Sequence, residues 1–196
     1  MTNLLPMADG PAPERADAAR NRQAILAAAL ELVRTRGVDS VTMDTVAAVA
    51  GVGKGTLFRR FGNREGLMAA VLNESEAEWQ AGVLSGPPPL GPGAPPMERL
   101  LAFGHSRLQA SLMHADLIAA AGRPGARSAA AMSFANMHVR YLLGELRVTG
   151  DLLLLATAIL SPLEMVVLDE QVNREQLSIE RVQAGWDDLV RRVVGC

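Results

Sequence analysis

Cysteine is almost absent from this 196-residue chain, because the only one is the last residue, Cys196. A single cysteine cannot form an internal disulfide, which suits a protein of the reducing cytoplasm. Long apolar runs are missing too: the longest, from Leu152 to Leu160, is far shorter than the ~20 residues that a membrane-spanning helix needs. The N-terminal residues lack the basic start and apolar run of a secretory signal. We therefore expect a soluble, cytoplasmic protein with no membrane partner.

Motifs of catalysis and metal binding are also missing. The sequence contains no glycine-rich phosphate loop, no nucleophile elbow and no metal-binding motif. Its three histidines, His105, His114 and His138, do not have the spacing of a metal site. We expect no enzyme activity and no cofactor, although a helical body could hold an active site that no short motif marks.

Positive charge is scarce overall, since the formal net charge is −2 and Lys54 is the only lysine. The total charge therefore gives no sign of a nucleic-acid partner. The distribution is more informative, because residues 1–66 carry nine basic and seven acidic side chains, whereas the remaining residues carry ten basic and fourteen acidic ones. A mildly basic front on an acidic body attracts phosphate groups locally.

The most informative stretch runs from Thr42 to Phe61, TMDTVAAVAGVGKGTLFRRF. It predicts two short helices joined by a tight turn, with Thr42 as the N-cap of the first helix and Gly51 in the turn, where a positive φ suits glycine. This layout is typical of a DNA-reading helix-turn-helix. No acidic residue lies between Asp44 and Glu65, whereas four basic ones do. With a preceding helix over residues 17–36, the stretch predicts a small three-helix core with these apolar residues: Val41, Val46, Val49, Val52, Leu57 and Phe61.

The remaining sequence predicts helices only. We expect a helix over residues 64–83, a loop at residues 85–96 that is rich in proline and glycine, and helices over residues 96–113, 116–121 and 126–147. A further helix over residues 151–170 is expected to kink at Pro162, and the last runs from the Ser178 cap to about residue 194. The predicted domains are a disordered tail (1–14), a helix-turn-helix domain (15–62) and a helical effector-binding and dimerisation domain (63–196).

The last two long helices favour a dimer. The helix over residues 151–170 is apolar nearly all round, and the helix over residues 178–194 has one apolar stripe. Two such helices from each subunit can pack as a four-helix bundle. A homodimer would also bring two helix-turn-helix units to two DNA half-sites, which increases affinity.

The segment RQAILAAALELVRTRGVDSVTMDTVAAVAGVGKGTLFRRFGNREGLMAAVL resembles the N-terminal domain of TetR-type transcriptional regulators. The specific positions are Ala50-Gly51-Val52, Lys54 to Phe58, Phe61 and Leu67. The resemblance implies an all-α homodimer with an N-terminal three-helix helix-turn-helix domain and a C-terminal domain that binds a ligand and dimerises through the last two long helices. It also implies that ligand binding moves the linking helix and releases DNA.

Thr42 and the segment from Lys54 to Arg60 match the DNA-contacting positions of the family. Lys54 and Thr56 are our candidates for base or phosphate contact, and Gly55 would allow the backbone to approach DNA closely. Phe58 stands where the family usually has tyrosine, so a phosphate-binding hydroxyl is absent, and Arg60 stands where histidine is common. The predicted DNA-binding residues are Thr42, Lys54, Gly55, Thr56, Phe58, Arg59, Arg60 and Arg64.

The function that these observations favour is a repressor, released from a palindromic operator by a small and largely hydrophobic ligand. Apolar helices with few charges suggest such a ligand, held by a few polar groups. An alternative is an activator or architectural DNA-binding protein that needs no ligand, and a helical enzyme is a further one. The candidate ligand-binding residues are Phe103, Arg107, His114, Phe134, His138 and Tyr141.

Overall fold

The computed structural model describes residues 13–120 and 129–195, and these residues form helices and turns with no β-strand among them. The prediction of an all-α fold is thus confirmed. The chain divides into two compact units between Val71 and Leu72. This division lies inside a helix, whereas the domain boundary predicted from the sequence lies at the start of that helix.

Within residues 13–71, the first unit contains three α-helices and the beginning of a fourth. Helix α1 spans Pro13–Arg36, a 3₁₀ turn spans Val38–Ser40, and α2 and α3 span Met43–Ala50 and Lys54–Phe61. Helix α4, Arg64–Ser85, continues into the second unit. Helix α1 begins four residues before the predicted Asp17; of the predicted tail, residues 1–12 lie outside the described residues.

Apolar side chains on one face of each helix fill the first unit. Of the six core residues expected from the sequence, Val52 is half-buried and Val49 is exposed. The expectation for Val49 is wrong because it lies about a third of a turn away from the α2 face that Met43, Val46 and Ala47 bury. The buried apolar residues of this unit include Ile25, Leu26, Ala29, Leu30, Val41, Val46, Leu57, Phe61, Leu67, Met68 and Val71.

Among its described residues, the second unit contains the rest of α4 and five further α-helices. The loop after α4 ends where α5 begins, at Pro96, as predicted. Helices α5 and α6 span Pro96–Ala120 and Ala129–Glu145. Helices α7, α8 and α9 span Leu152–Leu160, Met165–Leu168 and Ile179–Val194. Helix α5 packs against α6, α8 and α9, so it lies at the centre of this unit. The core includes Val83, Leu100, Phe103, Leu108, Val139, Leu142, Leu143, Ala156, Ile159, Leu163, Leu168, Val182, Trp186 and Val190.

Helix α5 is continuous, whereas the sequence predicts two helices with a break after Met113. The polar residues around the expected break are buried and hydrogen-bonded. The Ser111 hydroxyl donates to the Leu163 carbonyl oxygen at 3.3 Å, and His114 Nε2 lies 3.1 Å from the Ser75 hydroxyl. Because neither glycine nor proline interrupts this stretch and its polar groups are satisfied, the helix continues to Ala120.

The expected helix over residues 151–170 is broken rather than kinked at Pro162. Helix α7 ends at Leu160, a 3₁₀ turn spans Ser161–Leu163, and Glu164 is extended with φ −75° and ψ 142°. Proline lacks the N–H that would continue the α-helical hydrogen bonds, which accounts for the change of helix type. A π-helical turn at Asp169–Arg174 follows α8.

The region after Gly150 leaves apolar side chains uncovered. Leu152–Arg174 is the one helical stretch, among the described residues, that is long and apolar enough to cross a membrane, and most of it is not buried within the chain. Large exposed apolar residues of this region are Leu153, Leu154, Val166 and Ile179.

Candidate nucleic-acid interface and buried polar cluster

The second helix of the helix-turn-helix exposes most of its residues that are predicted from the sequence to bind DNA. Leu57 and Phe61 lie one helical turn apart and bury one side of α3 in the first unit. This anchoring leaves the rest of the short helix at the surface. Lys54, Gly55, Phe58 and Arg59 are exposed, and Thr56 is half-buried.

The turn before α3 has the geometry that the sequence predicts. Gly51 adopts a left-handed conformation with φ 66° and ψ 29°, and it caps the C-terminus of α2. The Thr42 hydroxyl accepts a hydrogen bond from the Thr45 N–H at 3.1 Å, while the Thr42 N–H donates to the Thr45 hydroxyl at 2.9 Å. Thr42 is therefore the N-cap of α2 in a reciprocal capping box, and its exposed side chain lies at the start of this helix.

Lys54 carries an ion pair at the surface. Its Nζ atom lies 2.6 Å from Asp44 Oδ1, and the two side chains are 57% and 67% exposed. An exposed pair of this kind contributes ~0–1 kcal/mol to stability, because water screens both charges. The ammonium group can therefore exchange Asp44 for another anion, such as a phosphate, at little cost.

Two of the predicted DNA-binding arginines make contacts inside the first unit. Arg60 Nη1 donates a hydrogen bond to the Ala18 carbonyl oxygen in α1. Arg64 Nε and Nη2 donate to the carbonyl oxygens of Val41 and Val38 at 2.8 and 2.9 Å. Both guanidinium groups thus join α3 or α4 to earlier segments of the unit, a role that the sequence pattern does not indicate.

Several aromatic side chains lie close together in the second unit, although the whole chain has only seven tryptophan, tyrosine and phenylalanine residues. The Trp79 ring lies 5.3 Å from the ring of Phe103 and 5.8 Å from that of Phe134. The His138 ring stacks on Phe103 and Phe134 at 5.2 and 6.1 Å, and Tyr141 lies 6.3 Å from His138 at the exposed end. We call Trp79, Phe103, Phe134, His138 and Tyr141 the aromatic cluster. Its residues belong to three helices, α4, α5 and α6.

A buried charged group adjoins the aromatic cluster. Arg107 of α5 is almost fully buried, its guanidinium lies over the Trp79 ring at 4.6 Å, and its Nη1 atom donates to both carboxylate oxygens of Glu76 at 3.2 and 3.0 Å. His114 Nδ1 lies 3.4 Å from the same carboxylate. Glu76 and Trp79 belong to α4, so this group holds α4 against α5 through charge and hydrogen bonds.

Several buried nitrogens of this region have no hydrogen-bond partner within the described residues. They include Nε and Nη2 of Arg107 and Nε2 of His138. Burial, with a smaller contribution from the Arg99 cation, lowers the pKa of His138 to about 4, so this imidazole is neutral near pH 7. Buried polar groups normally find partners, so these nitrogens mark a place where a ligand could bind.

The structure brings the six candidate ligand-binding residues into one neighbourhood. Four of them lie in, or next to, the ring contacts of the aromatic cluster, and Arg107 and His114 meet at Glu76. Ser75, Glu76 and Trp79 are not among the candidates predicted from the sequence. Their spacing along α4, on the face that continues from Leu72, is the signal that could have identified them.

Residues 13–120 and 129–195 contain no group of three or more histidine, cysteine, aspartate or glutamate side chains that could hold a metal ion.

The first unit matches a known family. Residues 25–71 match the model of the family described as "Bacterial regulatory proteins, tetR family". The resemblance stated from the sequence is thereby confirmed for the N-terminal unit, whose helix-turn-helix lies within the matched residues. No curated protein matches the chain.

Solved structures extend the similarity to the whole fold. The chain is similar to a TetR-family transcriptional regulator from Pectobacterium atrosepticum, with 21% identity over 91% of this chain and 96% of that chain and a TM-score of 0.65. It is also similar to a TetR-family transcriptional regulator from Streptomyces coelicolor, with 19% identity over 95% and 96% of the two chains and a TM-score of 0.61. At these identities the similarity shows a shared fold.

Proposed function

We propose that this chain, whose N-terminal unit is a TetR-family helix-turn-helix domain, is a cytoplasmic transcriptional repressor and not an enzyme. As a homodimer it binds a palindromic operator in double-stranded DNA, and a small, largely hydrophobic ligand releases it. The observation that carries the proposal is the exposed surface of α3, anchored by Leu57 and Phe61, within a matched helix-turn-helix domain.

We assign a role to each exposed residue of α3 and to the half-buried Thr56. Lys54 and Thr56 contact bases or phosphates, and Arg59 contacts phosphates, which fix the register of the protein on DNA. Gly55 lets the backbone approach the duplex, and Phe58 adds an apolar contact. Thr42, at the start of α2, lies where a helix N-terminus can bind a phosphate. Arg60 and Arg64 position α3 and α4 through their hydrogen bonds to backbone carbonyl oxygens. Their remaining N–H groups contact phosphates.

The uncovered apolar surface after Gly150 supports a homodimer through the helices at about residues 151–170 and 178–194. Leu154 and Val166 are 64% and 81% exposed. A second copy of the chain would remove these side chains from water, and each square ångström of apolar surface buried contributes about 25 cal/mol. The dimer would place two α3 helices at two half-sites of an operator.

The aromatic cluster and the buried Arg107 support a ligand site in the second unit. Phe103, Phe134, His138 and Tyr141 supply apolar and aromatic contact, whereas Arg107 and His114 supply polar contact next to α4. A mostly apolar site with a few polar groups is typical of small-molecule binding. Because Glu76 and Trp79 lie on the same helix that begins at Arg64, a ligand here would act directly on the helix that continues into the DNA-binding unit.

The experiment is a binding titration with Lys54→Ala. A labelled duplex selected from a random pool by the wild-type chain is titrated by fluorescence anisotropy at several salt concentrations. Loss of the ammonium group should weaken binding about tenfold and lower the slope of log affinity against log salt by about one for each subunit. Unchanged affinity in a variant with wild-type circular dichroism would remove Lys54 from the interface.

Gly55→Ala tests the same surface with a change that should not impair folding. Apart from its chain neighbours and the adjacent backbone of α3, a methyl group at this position meets no atom within 4 Å in the free protein, and alanine favours a helix over glycine by up to about 1 kcal/mol. We therefore expect equal or higher thermal stability together with weaker DNA binding. If Gly55 had only a structural role, DNA binding would weaken only together with thermal stability. Weaker DNA binding at unchanged thermal stability therefore indicates a direct contact with DNA.

A further inference from the structure

The two edges of the Arg107 guanidinium differ in their contacts. Nη1 lies at one end and donates to both oxygens of the Glu76 carboxylate at 3.2 and 3.0 Å. Nε and Nη2 form the opposite edge. Both of these nitrogens are buried and neither has a hydrogen-bond acceptor among the described residues.

The unpaired edge of Arg107 has the shape of a carboxylate receptor. The N–H bonds of Nε and Nη2 point the same way and match the spacing of the two oxygens of a carboxylate, which can accept both hydrogen bonds at once. A hydroxyl or amide oxygen can satisfy this edge only in part. Because Arg107 already shares its charge with Glu76, a monoanion fits this site better than a doubly charged phosphate.

The surroundings of this edge suit an apolar or aromatic ligand body. The Arg107 guanidinium lies over the Trp79 ring at 4.6 Å, and the ring centroids of Phe103 and Phe134 lie 5.3 and 5.8 Å from that of Trp79. His138 adds a buried Nε2 that also has no partner among the described residues. One strong anion site beside stacked rings is the pattern expected for an amphipathic monoanion.

We propose that the effector is a monocarboxylate with an apolar or aromatic body, and that its carboxylate accepts hydrogen bonds from Nε and Nη2 of Arg107. This inference rests on the proposed function, because it assumes that the second unit binds an effector. A second carboxylate on Arg107 would compete with Glu76 for the same cation and loosen the contact that holds α4 against α5. The negative charge of the ligand therefore links its binding to the position of α4.

The first test compares acids with their neutral amides on the purified full-length protein. The probes are octanoate with octanamide, and benzoate and 3-phenylpropanoate with benzamide and 3-phenylpropanamide. For each probe, the shift in melting temperature is measured by thermal denaturation and the affinity by isothermal titration calorimetry. A ligand that binds only the folded state raises the melting temperature. We expect at least one acid to raise it and to bind at least tenfold more tightly than its amide. If no acid binds, or if acid and amide bind equally, the proposal is overturned.

The second test uses variants that separate charge from geometry. Arg107→Lys keeps a cation for Glu76 but cannot present two parallel N–H bonds, so it should weaken binding of the acid at least tenfold and leave the amide unaffected. Arg140→Gln removes an exposed arginine from α6 and should change neither. Equal acid binding by wild type and Arg107→Lys would contradict the proposal. Should Arg107→Lys not fold, the comparison of acid with amide on the wild-type protein decides alone.

DNA binding, measured on the same preparations, separates this inference from the proposed function. If the protein binds selected DNA and a neutral compound releases it while acids do not bind, the carboxylate inference fails and the proposed function stands. If acids bind at Arg107 but the protein binds no DNA, the proposed function fails and the assignment of the site stands.

Discussion

The two units of this chain each contain a close ion pair, and the two pairs differ in their exposure to water. Lys54 and Asp44 in the first unit are 57% and 67% exposed, whereas Arg107 and Glu76 in the second are 1% and 13% exposed. Water screens the first pair, so Lys54 can exchange Asp44 for another anion at little cost. The second pair lies in a poorly hydrated interior, where removal of one partner leaves an uncompensated charge. We conclude that the first pair keeps a cation available and the second keeps a helix in place.

Removal of the acidic partner should affect the two units very differently. Glu76→Gln leaves the buried Arg107 without a counter-charge, so we expect the free energy of unfolding to fall by about 3–5 kcal/mol. Asp44→Asn, the matched change at the surface, should alter it by about 1 kcal/mol or less. Urea unfolding followed by circular dichroism at pH 7 measures both. Similar losses in the two variants would contradict the contrast between the pairs.

The second unit should also lose stability in acid through His138. The pKa of this buried imidazole is lowered to about 4, whereas in the unfolded chain it is about 6.5. Below pH 6.5 the unfolded chain binds a proton that the folded chain does not, so stability is lost as the pH falls from about 6.5 to 4. The loss should be on the order of 2–3 kcal/mol.

The variant His138→Phe checks the origin of this acid sensitivity. Phenylalanine keeps a ring next to Phe103 and Phe134 but cannot be protonated. We expect the free energy of unfolding to depend less on pH between 6.5 and 4 than in the wild type, whatever its value at pH 7. An unchanged slope in this variant would show that other groups carry the acid sensitivity.

The smallest effect is expected for DNA binding by Asp44→Asn. This change frees Lys54 from its ion pair and removes an acid close to the candidate DNA surface, so affinity for any duplex should rise by a few-fold, or about 0.5–1 kcal/mol, at low salt. The gain should shrink as salt screens the charges. Anisotropy titrations with selected and unrelated duplexes measure it, and weaker binding of both duplexes would mean that Asp44 positions Lys54 for DNA.

The first unit could be predicted largely from the sequence because its determinants are local. Thr42 caps α2 and Gly51 has a positive φ, and both depend on residues within a few positions along the chain. The side chains of Arg60 and Arg64 could not be predicted in the same way. They bond to carbonyl oxygens at Ala18, Val41 and Val38, which lie more than twenty residues away in sequence.

The second unit was harder to predict because its determinants are tertiary contacts. The sequence suggests a break in α5 near His114, yet Ser75 and Glu76 on α4 satisfy this polar residue inside the core. The sequence shows that Pro162 interrupts the helix, but it does not distinguish a kink from a break. The break depends on the extended conformation of Glu164. The candidate ligand residues on α5 and α6 lie together, but their contacts with Glu76 and Trp79 appear only in the fold.

The measurement that tests the central claim most directly is the selection of duplexes from a random DNA pool by the full-length chain, followed by the determination of complex stoichiometry. We predict an enriched inverted repeat, with half-sites about one helical turn, or roughly 10 base pairs, apart or a multiple of it. We also predict that Lys54→Ala fails to retain this sequence and that the complex contains an even number of chains. No enriched sequence, or a site without repeat symmetry bound by one chain, would contradict the account.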